Sequence, residues 1–401
     1  MAGLGITSEK AAVVVEFGSR YTRIGFSGET GPRAICRTPD DFSTASVDEI
    51  GEFLLWLYNQ QLQISPRERR LLVVEDINQR KDFRENIVEA ALTRIALPGL
   101  VFVPRPVAAI TATGINSSTA IVAQLGWSGL NITSVIHGVP EIWNQQESTI
   151  GGKHLVNEFR KTVDPGNSVS TDFLEDVISR LGFFRSRAHL VNPPETLEKQ
   201  DEKTIPIDVD SEKVLNVKRS TVRDTVELLL DRRAEDETIT TKILDLLLES
   251  PIDNRRALAA HIILSGGLAK LKGIGRRLLE EIREQLKEEK YKKLKDLRFS
   301  IVKMPAQSNC ICWLGGALYA SGESTWRMQM DLANCALNKD EIKEESSSSK
   351  IDTTRIPDWY AGAADLPEPK QKISSLSTVT PSFTTMNSPI RRMLQISNIP
   401  K

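Results

Sequence analysis

Apolar positions fall into short blocks whose spacing alternates between that of strands and that of helices. Val13–Glu16 is a strand-like run, Gly18-Ser19 marks a turn, and a second strand begins near Thr22. "SVDE" (Ser46 to Glu49) has the form of a capping box, and behind it Ile50, Phe53, Leu54, Leu57 and Tyr58 recur at helical spacing. Pro66 closes that unit. "LLVVE" (Leu71 to Glu75) reads as a short buried strand. A helix with Phe83, Ile87, Ala91 and Ile95 on one face follows, and then a strand at "LVFV" (Leu100 to Val103). Strands alternating with helices predict an α/β fold around a central sheet.

The scheme starts again at "STAIVAQLG" (Ser118 to Gly126), with a glycine turn and an apolar return at "NITSVIHG" (Asn131 to Gly138). Two such units predict two related lobes facing a cleft. Residues 162–213 are polar, contain Pro193-Pro194, and predict a variable subdomain. Helical patterns return at Val222–Leu230 and Ile243–Leu248. "HIILSGG" (His261 to Gly267) is a strand entering a glycine turn, Ile274–Leu286 is amphipathic, and "CWLGGALYAS" (Cys312 to Ser321) is the last compact signature. Beyond Asn338 the chain is charged and Ser-rich, the composition of a disordered tail. One island, "RIPDWY" (Arg355 to Tyr360), interrupts it. The expected organisation is a leader over 1–10, a body over 11–338 and a tail over 339–401. Within the body, 11–117 with 301–338 form a first lobe and 118–300 a second.

Composition narrows the function classes. The 401 residues are 40% hydrophobic and 26% charged, and 52 basic against 53 acidic residues leave a net charge of −1. That balance gives no electrostatic reason for nucleic-acid or membrane binding. No apolar run reaches the ~20 residues that span a bilayer. Cys310-Ile-Cys312 lacks a metal-type spacing, and with Cys36 and Cys335 it reads as part of a set of reduced thiols in a cytoplasmic protein.

Three glycine signatures stand in order: "GSRYTRIGFSGETGPRA", "DNRRALAAHIILSGG" and "CWLGGALYAS". Together they resemble actin and the actin-related proteins over about residues 11–325. In Asp253–Gly267 the Asp, Arg255, Leu258, Ala260 and Leu264-Ser265-Gly266-Gly267 stand in the family's places. Within that family "SGETGPR", "PRERR", "TGINSS", "IGGKHL", "SPIDNRR" and "RIPDW" resemble the actin-related subunits, of the ten/eleven type, in dynactin's pointed-end complex. The resemblance implies the actin-like fold of the actin, Hsp70 and sugar-kinase superfamily, with two lobes around a nucleotide cleft.

It also implies where a nucleotide would sit. Gly18 and Ser19 match the first phosphate turn, Arg23 the basic residue that meets the phosphates, Gly126 the second turn, and Gly266 and Gly267 the turn against the adenosine. The resemblance leaves ATP or ADP as a structural ligand, or an empty cleft, as the alternatives. The catalytic parts depart from the pattern. Glu16 replaces an aspartate. Gln124 and Trp127 replace the aspartates of the second loop, and Trp127 is expected to fill part of the space of a metal and its waters. Arg105 stands for the water-positioning glutamine, and Ile178 and Ser179 for the pair that flanks the adenine. No catalytic or metal-ligating residue remains, so the expectation is a protein that is not an enzyme.

The small outer subdomain, which in actin grips the next filament subunit, would lie between the first hairpin and the helix at Ser46. Only Ile35–Ala45 bridges that gap, too little for a small sheet and a gripping loop. The resemblance thus implies a cytoplasmic, cytoskeletal scaffold. It would cap the pointed end of dynactin's actin-like filament and dock that complex's other subunits (four, five and six), in support of dynein-driven transport along microtubules. Arg355, Ile356, Pro357, Asp358 and Trp359 are the candidate partner anchor, or else a segment that folds back on the body. An actin-fold ATPase and a chromatin-associated actin-related protein are the alternatives.

Overall fold

The structure is a computed structural model that describes residues 10–115, 117–209, 214–230, 238–321 and 337–338. Residues 1–9 of the leader, the tail and the Arg355–Tyr360 island lie outside the described residues. The chain divides into two compact units, one of residues 1–104 with 316–401 and the other of Arg105–Gly315.

The first unit is built on a six-stranded sheet. Its strands are β1 (Val13–Phe17), β2 (Tyr21–Phe26), β3 (Ala34–Arg37), β4 (Leu71–Glu75), β5 (Gly99–Pro104) and an outermost β13 (Leu337–Asn338), in the order β13-β5-β4-β1-β2-β3. β1 pairs antiparallel with β2 and parallel with β4, and β4 pairs parallel with β5. β1 and β4 are buried at every position, which is why they read as unbroken apolar runs. On one face lie α1 (Val47–Trp56) and α2 (Lys81–Glu89). Phe42 is the centre of an aromatic cluster there, with ring centroids 5.4 Å from Phe17, 5.0 Å from Phe53 and 5.5 Å from Phe83. The expected capping box holds α1 in place: Glu49 N–H donates to Ser46 Oγ, and Ser46 N–H to Glu49 Oε2. Arg84 of α2 makes a buried bidentate pair with Glu75 of β4, at 2.9 and 3.0 Å.

The link from β3 to α1 is short and fully built into this unit. Thr38 N–H donates to the Arg20 carbonyl, and the hydroxyls of Thr22 and Thr38 meet at 2.8 Å. A single 3-10 turn, Phe42–Thr44, follows, with Phe42 in the core. The Ala45 carbonyl accepts from Asn86 of α2.

The second unit opens with α3 (Arg105–Thr113). Its sheet holds β6 (Ala120–Leu125), β7 (Leu130–Ile136), β8 (Val139–Pro140), β9 (Gln146–Ser148) and β12 (Ile262–Ser265). The order is β12-β6-β7-β8, with β9 also on β7. An antiparallel hairpin followed by a parallel partner, β12 on β6, repeats the β1–β2–β4 arrangement. Around it lie α4 (Gly152–Val163), α5 (Thr171–Leu181), α6 (Arg187–Val191), α7 (Glu195–Asp201), α8 (Arg219–Glu227), α9 (Ile239–Glu249), α10 (Ile252–Ala260) and α11 (Ile274–Gln285). The polar stretch expected as a subdomain forms α5 to α7 and, with residues beyond it, a two-stranded hairpin, β10 (Thr204–Asp208) on β11 (Val214–Lys218). Arg185 grips Asp201 at 2.5 and 2.7 Å, and Arg223 of α8 reaches the same carboxylate.

The division between units falls at 104/105 and 315/316, where the sequence suggested 117/118 and 300/301. α3 belongs with the second unit because it packs on β6, β7, β8 and β12. The second division lies inside α12 (Ile311–Ser321), at its Gly315-Gly316 pair. A Cβ on Gly316 would come within 2.4 Å of Val74 on β4, so this turn of α12 lies on the first unit's sheet only because it lacks a side chain.

Candidate functional site

The candidate residues lie on hairpin turns, and each unit holds its own set. In the first unit, Gly18-Ser19-Arg20 joins β1 to β2 and is closed by Gly18 N–H donating to the Tyr21 carbonyl at 3.2 Å. A Cβ on Gly18 would stand 2.6 Å from that oxygen, so the turn requires glycine there. Glu16 and Arg23 are direct partners across the hairpin. Their closest approach is 3.8 Å, Arg23 Nη1 to Glu16 Oε1, and both are under 10% exposed. Arg23 Nη1 also donates to the Tyr21 carbonyl at 3.4 Å, while its Nε is buried with no hydrogen-bond partner. Arg20 is buried as well.

In the second unit, residues 126–129 join β6 to β7, closed by Gly126 N–H donating to the Gly129 carbonyl at 3.0 Å. The first turn of α4 backs this loop. Gly152 N–H donates to the Gly126 carbonyl at 3.0 Å, and Lys153 N–H to the Trp127 carbonyl at 2.9 Å. Two amides at the start of α4 are thereby satisfied by the loop itself. The Trp127 ring lies on Gly152, where a Cβ would come within 2.7 Å of a ring carbon, and packs against the apolar core of the unit. Trp127 thus seats the loop on α4. Gly266 has φ +95° and a Cβ there would stand 2.3 Å from the Leu125 carbonyl, so it brings the exit of β12 against the end of β6 beside Gly126. Gly267 follows in the open, at the start of a 3-10 turn. Ile178 of α5, expected beside an adenine, lies in the hydrophobic core.

The two loops fit parts of a metal-bound nucleotide unequally. The glycine turns have the close-approach geometry that a phosphate needs. The carboxylates that a divalent cation needs are not there. Glu16 faces a guanidinium, residues 123–129 carry no acid, and among the described residues no group of three His, Cys, Asp or Glu side chains could hold a metal. Among the described residues no helix is long and apolar enough to cross a membrane. The Cys36 thiol is pushed up to about 11 by burial, which makes it a packing group rather than a nucleophile.

Three features escaped the sequence. Gly129, Gly151 and Gly152 admit the close packing of residues 148–152 on the second loop, and only the quoted "IGGKHL" hinted at it. Val139, Trp143 and Ile252 are exposed apolar side chains, at 64%, 67% and 78%. Asn144 ties the Trp143 turn to the end of α9, donating to the Leu246 carbonyl and Ser250 Oγ at 2.9 and 3.0 Å, two residues before Ile252. No spacing rule brings 144 and 250 together. The third feature is a charged network in which Arg277 of α11 pairs with Glu281 and with Glu227 of α8, and Arg187 grips Glu281.

The actin family model matches residues 45–174 and 185–334, well over half of the chain. Actin-related protein 10 of Dictyostelium discoideum is 23% identical, over 78% of this chain and 83% of the relative. Actin-related protein 2 of Arabidopsis thaliana is also 23% identical, over 84% of this chain and 96% of its own length. Actin-related protein 4 of Candida albicans is 23% identical over 37% of this chain and 38% of the relative.

Proposed function

Because the chain belongs to the actin family, we propose that it is a non-enzymatic actin-related subunit that ends an actin-like filament. The observation that carries this reading is the link from β3 to α1. Residues 38–45 run directly from one element to the next, with Phe42 and Ala45 in the core and Thr38 bonded back to the first hairpin. An actin-type outer subdomain would have to start in this link. Without it one end of the molecule has nothing to grip a further subunit, and a head-to-tail assembly stops there. Glu16 facing Arg23, with Gln124 and Trp127 in the second loop, supports the absence of turnover.

The finer reading places the protein at the pointed end of dynactin's actin-like filament. There it would dock the other pointed-end subunits and serve dynein-driven transport from the cytoplasmic cytoskeleton. The likeness to actin-related protein 10 and the sequence signatures named above support it. The test is sedimentation of the purified chain under filament-forming salt, followed by mixing with preformed actin-like filaments. The expected result is no polymer alone and one copy per filament, at one end. Long filaments of the chain alone overturn the reading. Mass spectrometry of proteins co-purified from cytosol tests the dynactin assignment, and recovery without filament or pointed-end subunits overturns it.

A further inference from the structure

We propose that the groove between α6 and α11 is a docking site for an acidic, extended segment of a partner protein, one apolar residue of which rests on Val191. The inference goes beyond the filament-ending reading and uses none of its residues. The groove, of about 750 Å³, lies wholly within the second unit. α11 contributes Arg276, Glu280 and Arg283, which recur at helical spacing, and α6 contributes Arg187, His189 and Val191. The charges are layered. Glu280 accepts from Arg276 Nε at 2.9 Å and from the Arg187 backbone N–H at 2.7 Å, and Glu281 accepts from Arg187 Nη1 at 2.6 and 2.8 Å. Those carboxylates are 20% and 7% exposed, whereas Arg276 is 77% exposed. The remaining acid of α11, Glu284, is paired with Lys287. Arg283 and His189 are exposed as well, and the Arg283 guanidinium has no ion pair among the described residues. What the groove turns to solvent is therefore positive, in a chain whose net charge is −1. Carboxylates of a partner complement it, and Arg283 can meet one without giving up an acid of its own. Val191, 65% exposed beside Leu190, adds an apolar foothold. That foothold, with the Glu280 carboxylate in the lining, favours a peptide of separated acids and apolar residues over the continuous phosphates of a nucleic acid.

The experiment is fluorescence anisotropy of a labelled octapeptide, Glu-Asp-Leu-Glu-Glu-Leu-Asp-Glu, titrated with the full chain. The octapeptide should bind, and more weakly as salt rises. Its amide counterpart, with Gln and Asn for Glu and Asp, should bind at least about tenfold more weakly. Arg283→Glu, which breaks no ion pair among the described residues, should cost the acidic peptide at least about tenfold, and Val191→Ala about threefold. Circular dichroism checks that each variant is folded, and if Arg283→Glu does not fold, Arg276→Gln decides, with a loss of at least about threefold expected. The proposal is overturned if the octapeptide does not bind, if the amide peptide binds as well, or if the folded arginine variant binds as the parent does. Tighter binding of an octauridylate than of the octapeptide would make the groove a nucleic-acid site. Displacement of the probe by a peptide of residues 339–352, at a lower concentration than by unlabelled octapeptide, would make the chain's own tail the occupant. Either result ends the assignment to a partner protein.

Discussion

Glu227→Gln should make the protein's stability less sensitive to pH. Glu227 ends α8 with one oxygen 3.4 Å from Arg277 Nη2 and the other buried without a partner. Burial pushes its carboxyl from an ordinary 4.5 to about 7. Arg277 opposes the shift, Glu281 adds to it, and Arg223 and the Arg185 backbone N–H oppose it more weakly. The folded state therefore holds this proton more tightly than the unfolded chain does. Its contribution is fully present below pH 4.5, falls as the pH rises towards 7, and stays lost above that. At roughly 1.4 kcal/mol per pH unit the fall amounts to about 3 kcal/mol. Glutamine has no proton to lose. Between pH 5 and pH 8 the stability of the variant relative to the parent should improve by about 3 kcal/mol. At about 2–4 °C per kcal/mol for a unit of this size, the gap between melting curves opens by roughly 6–12 °C. Scanning calorimetry at both pH values measures the difference, and any constant cost of the amide cancels in it. Melting temperatures of parent and variant that run parallel across this range would refute the assignment.

Three further outcomes are expected. A phosphate-release assay should show no nucleotide hydrolysis above background, and turnover that Glu16→Ala abolishes would overturn that. Trp143→Ala should weaken binding to a filament end by about tenfold or more, because Trp143 is a large aromatic side chain left 67% exposed; an unchanged affinity in a filament-end titration removes Trp143 from the interface. Gln285→Met should raise stability by about 1–2 kcal/mol in denaturant melts, since the Gln285 amide is 2% exposed and neither its nitrogen nor its oxygen has a partner. A loss of stability would mean that ordered water satisfies it.

The elements whose periodicity is local were legible in the sequence. β1, β4, β5, β6, β7 and β12 lie where short, mostly apolar blocks predicted strands, and Ser46 and Glu49 form the capping box that their spacing predicts. Most positions of those strands are buried on both faces, which favours apolar residues at nearly every position. The Glu16–Arg23 pairing was within reach too, since closing a hairpin at Gly18 sets 16 opposite 23. Long-range placements were not legible. Arg185 and Asp201 both lie in the polar stretch, but their joint contact with Arg223 depends on how the link after α5 folds against α7 and α8. The neighbour of the Trp127 ring, Gly152, sits 25 residues on in a segment that sequence alone does not bring to the loop.

The glycines that carry the family resemblance also have work unrelated to a ligand. Gly266 lets β12 end against the Leu125 carbonyl, Gly152 receives the Trp127 ring, and Gly316 lets α12 pass over Val74. Replacing any of them would push a Cβ into backbone or core, which costs stability whether or not a nucleotide is bound. The acids of a metal site have no such second task, since a carboxylate that ligates only a cation can be exchanged for Gln or Trp without disturbing the strand beneath it. β6 is buried from Ala120 to Leu125 with Gln124 in place. A chain of this fold that gave up catalysis would therefore keep its glycine signatures and lose its acids. Here Gly18, Gly126 and Gly266 stand in close-packed turns, while Glu16 faces Arg23 and the second loop carries no acid. Glycine turns alone are evidence for the fold, and the charge balance around them is the evidence for what the loops can hold.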